Sequence, residues 1–159
     1  MMRTSTLVAA AIILAGAADA REFTATQSIE KVVTVSQPNG AVALDYQSAS
    51  RVAPGDTLFY HIDYSNDSAD PAEDVELVMV VPAEVSYLEN TANSGGIDAR
   101  LVFSADNGET FSPRRRLKTI KNGVSQTASA GDITHIKWTF KEAIAPGADG
   151  KVSFRATVR

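Results

Sequence analysis

The chain has 159 residues, no cysteine and a formal net charge of −4. A length of this order suits one domain, and folding then buries roughly two-thirds of the unfolded surface, so a packed core forms without staples. Missing thiols exclude disulfides, thiol catalysis and cysteine-ligated zinc, and the acidic balance argues against general nucleic-acid binding.

The chain opens MMRTSTLVAAAIILAGAADA. Arg3 precedes an apolar run from Leu7 to about Ala18, and Ala18-Asp19-Ala20 supplies a small-x-small cleavage pattern. These are the three parts of a secretory signal peptide. The run is short for a transmembrane span. Residues 1–20 are therefore expected to be a cleaved signal peptide. Residues 21–159 are expected to be a single exported domain, periplasmic or secreted, with no transmembrane segment in the mature chain. A cysteine-free exported domain fits a bacterial route better than a disulfide-dense extracellular module.

Beyond residue 21 the dominant signal is alternation, the mark of half-buried strands. Strands are predicted at about 27–35 and 41–47. In TLFYHIDYS, Leu58, Tyr60, Ile62 and Tyr64 share one face, and Phe59, His61, Asp63 and Ser65 the other. In VELVMVV, Val75, Leu77, Met79 and Val81 oppose Glu76, Val78 and Val80. Strands follow at 85–89 and 99–104. HIKWTF sets Ile136, Trp138 and Phe140 against His135, Lys137 and Thr139, and KVSFRATV sets Val152, Phe154, Ala156 and Val158 against Lys151, Ser153, Arg155 and Thr157. Ser125 to Asp132 is small and polar and reads as a loop. Turn signals separate the strands: Gln37-Pro38-Asn39-Gly40, Pro54-Gly55-Asp56, Asn93-Ser94-Gly95-Gly96, Asn122-Gly123 and Pro146-Gly147. Many short strands with frequent turns predict an all-β, immunoglobulin-like sandwich, with Trp138 as a core anchor.

The stretch VAPGDTLFYHIDYSNDSADPAEDVELVMVVPAEVSYL, Val52 to Leu88, resembles the conserved repeat domain numbered eleven among the domains of unknown function. The shared features are the turn Pro54-Gly55-Asp56, the late Asn66, the loop Pro71-Ala72-Glu73-Asp74 and Pro82. The closing THIKWTFKEAIAPGADGKVSFRATVR is similar to the ending of small exported single-domain bacterial members. Members often carry Asp-Pro at the turn proline, where this chain has Val81-Pro82. The resemblance implies an immunoglobulin-like sandwich on or near the bacterial cell surface. It implies no reaction.

Four stretches carry chemical signals. Ser104 to Phe111 reads SADNGETF, a Ser-x-Asp-x-Gly-x-Thr-Phe pattern resembling the Asp-box turn on sialidase propeller blades. One copy in a short chain reads instead as a structural hairpin: Asn107-Gly108 favours a tight turn and Asp106 accepts its N–H groups. DYSNDSADPAED holds Asp63, Asp67, Asp70, Glu73 and Asp74 and is a weak match to a Ca²⁺ loop, with Ser68 at the sharp-turn position and Asp74 replacing the bidentate glutamate. Its simpler reading is a polar inter-strand loop, and no cofactor is expected. Arg114, Arg115, Arg116, Lys118 and Lys121 form a basic run and a candidate anion-binding site, against the simpler reading of a solvated, charged edge strand. His61 and His135 both fall on outward-facing sets, and no nucleophile turn, phosphate loop or metalloprotease motif accompanies them. A self-formed Lys–Asn cross-link would need a buried trio of Lys, Asn and an acid, which the sequence does not assign.

The expectation is a non-enzymatic envelope or secreted module acting through protein–protein contact with an unknown envelope protein or by self-association. The alternative is a binder of an anionic envelope polymer through residues 114–121.

Overall fold

The computed structural model describes residues 11–14 and 23–159, so the expected signal peptide lies outside the described residues except for its segment Ala11–Leu14. The strands are β1 (Ala11–Leu14), β2 (Phe23–Ser36), β3 (Val42–Ser48), β4 (Thr57–Asn66), β5 (Val75–Val80), β6 (Val85–Tyr87), β7 (Ala99–Ser104), β8 (Lys118–Lys121), β9 (Val124–Thr127), β10 (His135–Phe140) and β11 (Asp149–Val158). Two antiparallel sheets, β1-β5-β10-β7 and β3-β2-β4-β11-β6, form an all-β sandwich, and β8-β9 is a separate hairpin. Among the described residues no helix is long and apolar enough to cross a membrane.

Alternation builds the core. Period two sends Leu58, Tyr60, Ile62 and Tyr64 of β4 inward beside Val152, Phe154 and Ala156 of β11, and all seven are buried. The facing sheet contributes Val75, Leu77 and Met79 from β5 and Ile136, Trp138 and Phe140 from β10. Trp138 is fully buried, and its indole N–H finds no acceptor among the described residues. Aromatic rings join the layers. Tyr60 stacks on Phe154 at 4.8 Å within one sheet, while Tyr64 meets Phe140 at 5.3 Å and Tyr87 meets Phe103 at 5.5 Å between sheets. Gly150 lies opposite Tyr64, whose ring occupies the space a Cβ would need. That aromatic cover compensates for the missing side chain in the strand.

Asn66, at the end of β4, closes one end of the sandwich. Its side chain is buried and its amide is fully engaged. Nδ2 donates to the carbonyls of Asp70 at 2.9 Å and Ile144 at 2.7 Å, and Oδ1 accepts from Ser68 N at 3.2 Å and Ser68 Oγ at 2.7 Å. Its own N–H donates to Ala148 O, and its carbonyl accepts from Gly147 N in the Pro146-Gly147 turn, where φ of Gly147 is +74°. One residue thus ties the β4–β5 connection to the β10–β11 connection. At the opposite end, Gly55 in Pro54-Gly55-Asp56 takes φ +92° and donates to Val158 O, while Asp56 Oδ2 accepts from Ala53 N and Lys31 Nζ, both at 2.7 Å.

Two expectations are corrected. Residues 125–132 are not one loop. The Asn122-Gly123 turn, with φ of +53° and +76°, folds the chain back so that Val124–Thr127 pairs with Lys118–Lys121, and Ala130–Asp132 is a 3-10 turn. The basic run is not one edge strand either. Arg114–Arg116 is a 3-10 turn after Pro113, and the strand begins at Lys118. Elsewhere β2 starts earlier than alternation suggested, because Phe23 stacks on Tyr64 at 6.2 Å and extends the pairing to Phe23↔Asn66.

Replacing Asn66 with Ala removes four side-chain hydrogen bonds, although Ile144 O keeps Ala72 N and Asp70 O keeps Ser68 Oγ as donors. Each hydrogen bond contributes about 0.5–1.5 kcal/mol, so Asn66→Ala is expected to lower unfolding free energy by about 2–3 kcal/mol, seen as a lower urea midpoint at unchanged slope. An unchanged midpoint would mean the amide does not hold this end together.

Candidate functional site

The β2–β3 hairpin is longer than the sheet that carries it. The last pair between β2 and β4 is Val32↔Thr57, whereas β2 and β3 pair on to Ser36↔Val42. Its tip therefore overhangs the sandwich, and β3 is an outer strand with one unpaired edge. Register places Val42, Leu44 and Tyr46 on the outer face, opposite Ser36, Thr34 and Val32. They are 66%, 46% and 41% exposed, and Val35 on the opposite face is 43% exposed. Tyr46 packs on Phe59 at 4.9 Å, and Phe59 on His61 at 5.1 Å, extending the apolar surface inward along the sheet. Edge strands usually carry lysine, proline or a bulge that deters pairing. Within β3 only Asp45 is charged.

His61 bounds this surface. Alternation correctly turns it outward, yet it is only 5% exposed, so an outward position here is not a solvated one. Its Nε2 lies 3.1 Å from Asp63 Oδ2, and its Nδ1 lies 3.7 Å from Glu30 Oε2 with no hydrogen-bond partner among the described residues. Burial first, then the Lys151 charge, lower its pKa below the ordinary imidazole value, against the opposing pull of Asp63 and Glu30. Lys151 also pairs with Asp63 at 3.1 Å. His135 sits half-buried with its ring under Gly108, and burial lowers its pKa too. The two histidines belong to different sheets and do not form a joint site.

The SADNGETF stretch folds as an internally bonded turn. Ser104 Oγ donates to Asp106 Oδ1 at 2.6 Å and accepts from the N–H groups of Asp106 and Gly108. Asp106 also accepts from Thr110 N at 2.9 Å and Thr110 Oγ1 at 2.5 Å. Asn107 and Gly108 both have positive φ, +60° and +87°. Desolvation pushes the Asp106 carboxyl up, but the hydrogen bonds outweigh it and leave it at about 2. Both its oxygens are directed at its own turn, leaving Asp106 engaged in local structure. Beside this turn a cleft of about 430 Å³ is lined by Val81, Pro82, Glu84, Asn107, His135 and Arg159 among others. Arg159 donates within it to the carbonyls of Val85 and Gly131.

The basic run is dispersed. Arg114 forms a forked pair with Glu89 and donates to Ala128 O, Lys121 pairs with Asp132 at 2.6 Å, and Lys118 donates to Thr127 Oγ1 at 3.1 Å. Arg115 and Arg116 are exposed and make no ion pair among the described residues. The β8–β9 hairpin also exposes Ile120 and Val124 at its tip. In the acidic loop, Asp67 accepts from Ser65 Oγ, Asp70 supplies its backbone carbonyl to Asn66, and Asp74 adopts φ +51°. Asp63 points instead toward His61 and Lys151, so Asp63, Asp67, Asp70 and Asp74 do not gather around one point. Among the described residues no three His, Asp or Glu side chains are placed to hold a metal ion together. Nor does a Lys–Asn–acid trio appear among the ion pairs: Lys31 meets Asp56 and Lys137 meets Glu76.

Sequence reasoning missed the overhanging apolar edge. The signal that was present was Phe59, an aromatic on the outward set of β4. No family model, curated protein or solved structure matches the chain.

Two pH dependences follow. Asp106 has a folded pKa of about 2 against an ordinary 3.8. It therefore stabilises the fold above 3.8, and that stabilisation disappears as pH falls toward 2. The urea midpoint of the parent should exceed that of Asp106→Asn at pH 7, with the gap closing over that window. The histidines act at higher pH. Their lowered folded values mean the unfolded chain binds protons first, so stability falls as pH drops through 6.5. A His61→Gln, His135→Gln double variant should flatten the urea midpoint between pH 7 and 5.

Proposed function

We propose that the chain is a non-catalytic, exported module of the bacterial cell envelope that works by protein–protein contact. The mode it suits is strand addition, in which a partner's extended segment pairs with the free edge of β3. One observation carries this reading. A seven-residue edge strand, whose tip overhangs the sandwich, has a single charge and presents Val42, Leu44 and Tyr46 to solvent. Backbone N–H and C=O groups along such an edge supply affinity, and alternate side chains supply selectivity. The signal-type leader and the resemblance to the conserved repeat domain numbered eleven point the same way, and a cleavable leader at residues 1–20 is part of the proposal. The sites that sequence offered for catalysis or metal binding are engaged in local structure, which directs attention to surfaces.

A second reading is contact with an anionic envelope polymer through Arg115, Arg116 and Lys118, with Arg114 and Lys121 already paired to acids. The two separate by salt. Polymer binding fades as ionic strength rises past the range where the Debye length is about 8–10 Å, whereas an apolar edge contact persists.

A photo-reactive residue at Leu44, in the tagged full chain expressed in an exporting bacterium, is expected to give one dominant protein adduct. Val42→Lys should abolish that adduct while changing stability by about 0.5 kcal/mol or less, as surface substitutions do. Absence of any adduct from Leu44, with salt-sensitive envelope retention lost on replacing Arg115 and Arg116, would overturn the edge reading in favour of the polymer.

A further inference from the structure

β5 has a second strand site, distinct from the β3 edge. In the described structure β1 fills it, pairing antiparallel in the register Ala11↔Val78, Ile12↔Leu77, Ile13↔Glu76 and Leu14↔Val75. Four apolar residues from the leader run thus sit where an outer strand of the sheet belongs. If residues 1–20 are removed, that edge of β5 is left open.

The open edge is unguarded. β5 reads VELVMV, without lysine, arginine or proline, and such an edge is a template for another strand. Its one charge, Glu76, is held within its own sheet by Lys137 Nζ at 3.3 Å and Thr139 Oγ1 at 2.9 Å. The other edges of the sandwich differ. Ser112 pairs with Phe103 along β7, β6 has only three residues, and β3 overhangs the sandwich.

The direction of β1 selects the occupant. A site that accepts an antiparallel strand accepts β5 of a second copy, because a two-fold axis normal to the sheet sets a strand antiparallel to itself. Faces also match. Val75, Leu77 and Met79 point to the core in each copy, so the pairing must set inward residues opposite inward ones. A register centred on Val78 satisfies this, with Val78 opposite Val78, Leu77 opposite Met79 and Glu76 opposite Val80. The two Glu76 positions then lie about 13 Å apart along the strands, beyond a Debye length at physiological salt. The three strands β5-β10-β7 of each copy would become one continuous sheet.

We propose that the edge of β5 is a strand-acceptor site, filled in cis by Ala11–Leu14 while the leader is attached and by β5 of a second copy once the leader is removed. The inference rests on the leader reading above and does not depend on the β3 partner. Processing would then act as the trigger for dimer formation.

The absence of native cysteine makes the test direct. The full chain is expressed in an exporting bacterium, and intact mass identifies the processed form. An Ala18→Leu, Ala20→Leu variant retains the leader. The cysteine-free processed form is expected to be a dimer by light scattering and the uncleaved form, in detergent, a monomer. Processed Val78→Cys should yield a covalent dimer with a short bifunctional thiol reagent, and Leu44→Cys should not. A monomeric processed form overturns the proposal, even if Val78→Cys fails to fold. So does a dimer trapped by Leu44→Cys alone, a leader-bearing form that dimerises equally, or a mature chain that keeps residues 1–20. A monomeric processed form that still captures a partner from Leu44 would sink the dimer and leave the envelope-module reading standing.

Discussion

The side-chain amide of Asn66 is the constraint on which one end of this sandwich depends. Buried amides are tolerated only when their donors and acceptors are matched. Here two carbonyls and the Ser68 N–H and hydroxyl match them. Those partners come from loops on both sheets, so the amide fixes how the β4–β5 crossing meets the β10–β11 crossing. Apolar burial drives the sheets together, but it is non-directional and does not choose among loop arrangements. Asn66 supplies that choice at one end, and the Asp56 turn supplies it at the other through Lys31, Ala53 and the Gly55–Val158 bond.

Much of this was legible because its cause is local. Alternation in TLFYHIDYS and HIKWTF follows from the pleat, so it identified the inward residues and Trp138 correctly. The Asp106 turn was legible for the same reason: the Asp106 side chain bonds only to Ser104, Thr110 and its own N–H. What was not legible depends on register and length mismatch between distant strands. Nothing within VALDYQS says that β4 begins only at Thr57 and leaves the β2–β3 tip uncovered. His61 lies on the outward set that alternation assigns it. That it is also buried depends in part on β2 and β11, which flank β4 and which a single strand's pattern does not contain. β9 was missed because Val124–Thr127 is polar and exposed, and only the Asn122-Gly123 turn pointed to a returning strand.

The same division organises the functional reading. Side chains that looked like chemistry are committed to structure: Asp106 to its turn, Arg114 to Glu89, Lys121 to Asp132. Less committed are the backbone edges with the apolar residues beside them, and Arg115 and Arg116, which make no ion pair among the described residues. The sandwich has two edges of interest, the exposed edge of β3 and the edge of β5 that Ala11–Leu14 pairs with.

Amide hydrogen exchange across the whole chain, with and without the cell-envelope fraction, tests the central claim, the proposal that function resides at the β3 edge. The account predicts new protection confined to residues 42–48 and their neighbours on β2, retained at high salt. Protection appearing only at 114–121, or only around the cleft of Pro82, Asn107 and His135, would contradict it.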